Sequence, residues 1–408
     1  MILLGLVVLA VGFRWFVIGR ELGRLDDPDG YLGLARSLAR GEGLRINGRL
    51  TAYRPPLYPV LLAPWVQAFD GPGLASALAV FHLGLGAITV LLVADSARRW
   101  GIPRWGGWVA VVIVGFDPVL VVQARALMTE TLAACLVAAM VWGCSLGGNC
   151  GAAWGGIGFG LASLCRPSLL PAAALTALVW LAGGPIGRPA RVTRSLVLVV
   201  ATLAVLCPWA IRNALVLGEP VWTTTHGGYT LALANNPAYY ADVLHGPPGS
   251  VWSGANQDAW ISSITAATAG RAEPDADRLL RQQAVACARD HPADFLRASL
   301  ARLGRFWGVM PSSAVYPPPL RWATAAWTVP IWIAVLLGLA RRTSWQWPRF
   351  AAVAPVVTLT LIHSVYWTDL RMRAPLVPAL ALVAASGVAG FRRHGPGASS
   401  PQEIGGPS

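Results

Sequence analysis

The chain has 408 residues, 55% hydrophobic and 12% charged, with a mean hydropathy of +0.54. Soluble domains carry about 25% charged residues, so these figures argue against a soluble enzyme and against a disordered chain, and for a chain solvated by lipid. The formal charge of +13 comes from Arg alone, there being no Lys; in a membrane chain such an excess reflects topology and anionic lipid or substrate phosphates rather than nucleic acid.

A helix needs about 20 apolar residues to cross about 30 Å of hydrocarbon. Runs approaching that length predict an all-α polytopic membrane protein of about ten transmembrane helices, at 1–18, 73–95, 105–122, 129–147, 151–165, 167–183, 195–217, 321–340, 350–366 and 374–391. The first run has no charged n-region and no small-residue cleavage site, so it is expected to stay as a span. With the N-terminus inside, the inner loops hold eleven Arg (98, 99, 104, 188, 191, 194, 341, 342, 349, 392, 393) and the short outer loops four (125, 166, 371, 373). That asymmetry predicts both termini cytoplasmic in a cell inner membrane.

The runs divide the chain into an N-terminal membrane module at 1–217 with a polar first outer loop at 19–72. An outer region follows at 218–320, then a three-helix membrane module at 321–394 and a disordered tail from Gly395 to Ser408. Six Cys show no C-x-x-C or His/Cys cluster, so neither a disulfide framework nor a structural zinc is supported.

In the first outer loop, Leu32, Leu34, Ala35, Leu38 and Ala39 recur at helical spacing with Arg36 and Arg40 opposite. This predicts an amphipathic helix lying on the membrane surface. Asp26, Asp27 and Asp29 precede it, where helix amides favour negative charge; Asp29 reads equally as an N-cap and as a functional acid. From Leu57 to Trp65 an apolar run broken by Pro59 and Pro64 predicts an interfacial or re-entrant helix. Arg54, just before it, is either a snorkelling side chain or a phosphate clamp, since a guanidinium fork matches a pair of phosphate oxygens.

Further along, Asp95 is expected to pair with Arg98 and Arg99, and Asp117, before Pro118, to cap a break in the third span. Arg14 either snorkels outward or meets a phosphate. His82 and His363 read as packing or hydrogen-bonded core residues. Glu130 opens the fourth span and reads either as a functional group or as a helix N-terminal acid. The stretch from Trp222 to Trp260 is expected to be irregular. Helices are expected over 275–289 and from Pro292, the latter with Arg297, Arg302 and Arg305 on a basic face.

Several motifs resemble the C-type glycosyltransferases, multi-span enzymes that use polyprenyl-phosphate-linked sugars, in particular the protein O-mannosyltransferases and lipid A aminoarabinose transferases. They are Asp27 four residues before Tyr31, which opens a Tyr-x-x-x-Ala helix; Tyr53-Arg54-Pro55; Met128-Thr129-Glu130; Pro208-Trp209; His226-Gly227-Gly228-Tyr229; Asn235-Asn236-Pro237; His291-Pro292; and Arg371-Met372-Arg373-Ala374-Pro375. The resemblance runs from about Asp27 to Pro378 and concerns the superfamily, not a substrate.

It implies transfer of a sugar from a lipid phosphate to a hydroxyl on a glycan, lipid or protein acceptor at the outer face. Asp27 is then the catalytic base, with Asp29 as the substitute if the loop is shifted. Arg54 with Arg371 or Arg373 holds the phosphate, and Tyr31 and Glu130 line the substrate site. Such chemistry needs a carboxylate for the hydroxyl proton and fixed cations for the leaving phosphate; a single base with direct displacement inverts the anomeric carbon. Tyr53 stands where some relatives carry a Glu linked with metal binding, which leaves a divalent metal open. An O-antigen polymerase or ligase and a secondary transporter are the alternatives. The first would place its key Arg and His in a late outer loop, and the second its polar groups at the midplane.

Overall fold

In hydrocarbon no water can pair the peptide groups, so an apolar run satisfies them internally as helix. The computed structural model describes residues 2–19, 27–183, 186–246, 252–312 and 316–391. In chain order the helices are α1 (Ile2–Gly19), α2 (Tyr31–Ala39), α3 (Leu57–Ala68), α4 (Gly71–Arg99), α5 (Arg104–Phe116), α6 (Pro118–Gln123), α7 (Glu130–Ser145), α8 (Gly148–Cys165) and α9 (Leu170–Ala182). There follow α10 (Arg188–Leu217), α11 (Gly227–Ala234), α12 (Pro237–Tyr239), α13 (Ala255–Thr268), α14 (Glu273–Asp290), α15 (Pro292–Phe306), α16 (Pro318–Leu339), α17 (Phe350–Val365) and α18 (Val377–Phe391).

All ten apolar runs lie on helix, and the protein is an all-α polytopic membrane protein. Among the described residues, α1, α4, α10, α16 and the stretch Leu370–Gly390 are long and apolar enough to span; α3, α5, α7, Pro167–Ala182 and α17 are shorter apolar helices. The tail from Gly395, together with Asp26, Arg392 and Arg393, lies outside the described residues.

At the centre α8 packs between α7 and α10, while α4 lies on α7 and α5, and α18 on α16 and α5. The sequence of α8 explains its place. A Cβ at Gly158 would lie 2.7 Å from the Met140 Cα, and one at Gly156 would collide with the Leu198 carbonyl. Small residues let three backbones meet, the main way helices associate in lipid.

The third span breaks where the sequence suggested. Asp117 Oδ1 accepts from the Val119 and Leu120 amides, both at 3.0 Å, and so caps α6. Arg14 neither snorkels nor reaches a phosphate site. Its guanidinium, 3% exposed, donates to the Gly115 (3.2 Å) and Val114 (2.6 Å) carbonyls, supplying donors that the broken end of α5 lacks. His82 is a satisfied core residue between the Tyr58 hydroxyl (2.8 Å) and the Ala124 carbonyl (2.9 Å). His363 stacks on Phe306, and Asp95 holds Arg98, Arg99 and the Trp142 indole.

Two parts of the polar segments differ from expectation. Residues 45–50 form a small hairpin, Arg45–Ile46 against Arg49–Leu50, turned by Asn47 and Gly48 at φ 50° and 76°. Asn-Gly is the residue pair that such a turn demands. The stretch from Trp222 to Trp260 is largely helical, holding α11, α12 and the start of α13. Arg302 leaves its expected basic face. It is fully buried and donates to the Ser364 (2.8 Å) and Ala234 (2.7 Å) carbonyls, tying α15 to the end of α17 and to α11.

Candidate active site

The surface helix forms as its pattern required, with Tyr31, Leu32, Leu34 and Ala35 buried and Arg36 exposed. Its entry gives the two acids different partners. Gly30 takes φ 74°, which swings the chain so that Asp27, not Asp29, caps the helix. The Asp27 oxygens accept from the Tyr31 amide at 2.8 Å and the Leu32 amide at 2.9 Å. Burial raises the Asp27 pKa above the usual carboxylate value, against the pull of those amides, and the neighbouring Asp29 charge adds to the rise.

Asp29, freed from capping, pairs with Arg54 at 3.0 Å. The Arg54 guanidinium also reaches His226 Nε2 at 3.4 Å and lies over the rings of Tyr31 (5.9 Å) and Tyr53 (5.5 Å). His226 is wedged between Tyr53 and Tyr229, with ring centroids at 4.3 and 5.1 Å. Burial, reinforced by Arg54, lowers its pKa to about 3, so the imidazole is neutral. Tyr31 is buried edge-on against Tyr58, and burial raises its hydroxyl pKa.

A second group adjoins the first. Glu130, at the start of α7 and 1% exposed, lies 3.2 Å from Arg166 at the end of α8. Arg371, ahead of α18, binds Asp369 at 3.1 Å and has Glu130 and Asp29 as further electrostatic partners. Arg166 and Arg371 each direct one further nitrogen at a thioether, Arg166 at Met372 and Arg371 at Met128. A thioether is a weak acceptor, so two partly buried guanidiniums keep donor capacity unused. The start of α7, the end of α8 and the entry to α18 belong to one face of the bundle.

Five of the candidate residues thus converge with Asp27: Asp29, Tyr31, Arg54, Glu130 and Arg371. Arg373 does not join them. It is 3% exposed, donates to the Phe306 and Gly308 carbonyls, and lies over the Trp332 ring at 4.9 Å. Sequence reasoning did not single out His226, Arg166 or Asp369 as site residues, although His226 and Arg166 both lie in motifs or loops it had noted. Among the described residues no three His, Cys, Asp or Glu side chains group as a metal ion requires. The acids instead face amides and guanidiniums, so the donor set does not fit a metal.

The chain shares its fold with solved structures of an archaeal oligosaccharyltransferase. It is similar to the oligosaccharyltransferase AglB of Archaeoglobus fulgidus, at TM-score 0.55 and 13% identity, over 96% of this chain and 50% of that one; that structure is a complex with an inhibitory peptide and a dolichol-phosphate. The apo form of the same enzyme gives 0.56 and 14%, over 94% and 50%. ArnT of Cupriavidus metallidurans gives 0.41 and 15%, over 95% and 78%. The chain therefore spans about half the length of the archaeal enzyme. No family model and no curated protein matches the sequence.

Proposed function

We propose that the protein is a membrane glycosyltransferase that moves a sugar from a polyprenyl-phosphate donor to a hydroxyl acceptor, with inversion, at the outer face of the plasma membrane. The observation that carries this reading is the convergence of Asp27, the Asp29–Arg54–His226 edge and Arg371 on one face of a C-type fold. The Arg-rich loops at 98–104, 188–194 and 341–349 carry more Arg than the short loops at 125, 166 and 371–373, which supports a topology with both termini in the cytoplasm.

Asp27 is the base. Each of its oxygens accepts one backbone amide and keeps a lone pair, and burial makes the carboxylate more basic than an exposed one. It takes the acceptor's proton while the acceptor oxygen bonds to the anomeric carbon. The bond from that carbon to the phosphate oxygen breaks, and the electron pair leaves with the lipid phosphate. Arg54 and Arg371 face that charge. Their carboxylate partners Asp29 and Asp369 hold the forks in place. The Tyr31 ring carries the Arg54 guanidinium, and Glu130 steadies the site through Arg166.

The test is sugar transfer by purified protein from a polyprenyl-phosphate donor, comparing wild type with Asp27→Asn and Asp29→Asn. Loss in Asp27→Asn supports the assignment, and loss in Asp29→Asn alone moves the base by two residues. Full turnover in both variants sinks it.

A further inference from the structure

Arg54 and His226 are neighbours through no contact of their own helices; each sits in a loop. Both loops are pinned by one face of α14. Glu273, in its first turn, accepts from the Thr51 hydroxyl at 2.7 Å and the Ala52 amide at 2.9 Å, just ahead of Tyr53 and Arg54. The same carboxylate accepts from the Thr225 hydroxyl, just ahead of His226. Between these anchors the Thr225 amide donates to the Ala52 carbonyl at 3.1 Å, so the two loops are also joined backbone to backbone.

One helical turn on, Asp277 accepts from the Gly228 amide at 2.5 Å, just beyond His226. Its other oxygen takes Arg281, a turn further along α14, at 2.8 Å. The spacing of 273, 277 and 281 puts all three side chains on one face. A Cβ at Gly228 would run into the Asp277 carbonyl, so only glycine lets α14 come this close.

We propose that α14 is a positioning arm, in which Glu273 and Asp277 set the Arg54 loop in register with the His226 loop. This rests on the reading of the site as a glycosyltransferase centre. Glu273 and Asp277 act through Arg54 and His226, so they are positioning residues, not catalytic ones. The arm makes the cationic edge a preformed surface whose cost is met on folding.

The experiment uses the full chain in lipid nanodiscs and compares wild type with Glu273→Ala, Glu273→Gln and the milder Thr225→Val. Backbone hydrogen exchange reports the loops directly, and turnover with donor reports the site. In Glu273→Ala, exchange over 49–56 and 223–230 rises about tenfold or more while α7 and α8 are unchanged. Turnover falls by about 100-fold, the effect of misplacing a reacting group by an ångström. Glu273→Gln recovers most of both, since its carbonyl still accepts from Ala52 and Thr225, and Thr225→Val shows a smaller effect in the same direction. The proposal is overturned if both loops loosen and turnover holds, if turnover falls with no change in exchange, or if only one loop loosens. A wild type that transfers no sugar sinks the functional reading alone, because exchange still decides whether one carboxylate binds both loops. If Glu273→Ala does not fold, Thr225→Val carries the comparison against wild type and the near-wild-type Glu273→Gln.

Discussion

Two sets of arginines and acids in the protein spend their hydrogen bonds differently. The first is Arg14, Asp117 and Arg373. Apart from the Trp332 ring under Arg373, its polar groups meet backbone: the Val114 and Gly115 carbonyls, the Val119 and Leu120 amides, and the Phe306 and Gly308 carbonyls. These charges repair chain breaks. The second set is Arg54, Arg166 and Arg371 with Asp29, Glu130 and Asp369, where guanidiniums meet carboxylates, a histidine and thioethers. A guanidinium turned onto backbone carbonyls serves the fold, whereas one that leans on a methionine keeps a weakly used donor for a ligand.

The largest effect is expected from Asp27→Asn. Asparagine keeps one acceptor oxygen for the Tyr31 and Leu32 amides and turns a donor towards the other, so the melting curve is expected to show a loss of about 1 kcal/mol, while kcat of the folded fraction falls about 1,000-fold, within the range for a lost general base. Asp117→Asn, the same change in the repair set, is expected to leave kcat near wild type. A comparable loss in both erases the distinction. Next come Arg54→Gln and Arg371→Gln, each expected to lower turnover about 100-fold and to weaken binding of polyprenyl phosphate, as read by titration.

Arg373→Met tests the other side. It orphans two carbonyls, so the melting curve in detergent is expected to show a loss of about 1–3 kcal/mol, with kcat of the folded fraction unaltered. A selective loss of phosphate binding would return Arg373 to the site.

The smallest effect is on pH dependence. With its pKa at about 3, His226 stays neutral across the working range, so kcat is expected to show no inflection near 6.5. With Asp27 as the base, the acid limb is expected above 3.8, and His226→Gln is expected to leave it in place. In stability the two groups have opposite signs. As pH falls from 6.5 towards 3 the unfolded chain protonates His226 before the fold does, and stability drops. Asp27 keeps its proton longer in the fold, so its contribution is present below 3.8 and is lost as pH rises through its raised value.

Much of the fold could be read from the chain because lipid imposes length and hydropathy. The ten runs, the surface helix from Tyr31 and the Asp117 cap are all local patterns. The site was half legible. Asp27, Arg54, Glu130 and Arg371 stand in motifs, whereas the pairing of Glu130 with Arg166 and of Arg54 with His226, and the anchoring of both loops on Glu273, join distant segments. Most spanning helices here are apolar all round, so no stripe tells which face turns inward or which helix ends meet. The capping choice between Asp27 and Asp29 hinged on the positive φ of Gly30, a conformation that composition does not announce. The hairpin at Asn47-Gly48 did carry its signal.

The glycine stripe of α8 reaches beyond packing. Because Gly158 rides on the Met140 backbone and α8 ends at Arg166, a methyl group added deep in the bilayer has no side chain to push aside. The whole rod must shift, and its tip carries the partner of Glu130. Crowding in the greasy middle therefore becomes misalignment at the polar rim, and alanine substitutions along that stripe are expected to behave as remote inhibitors of a centre they never touch.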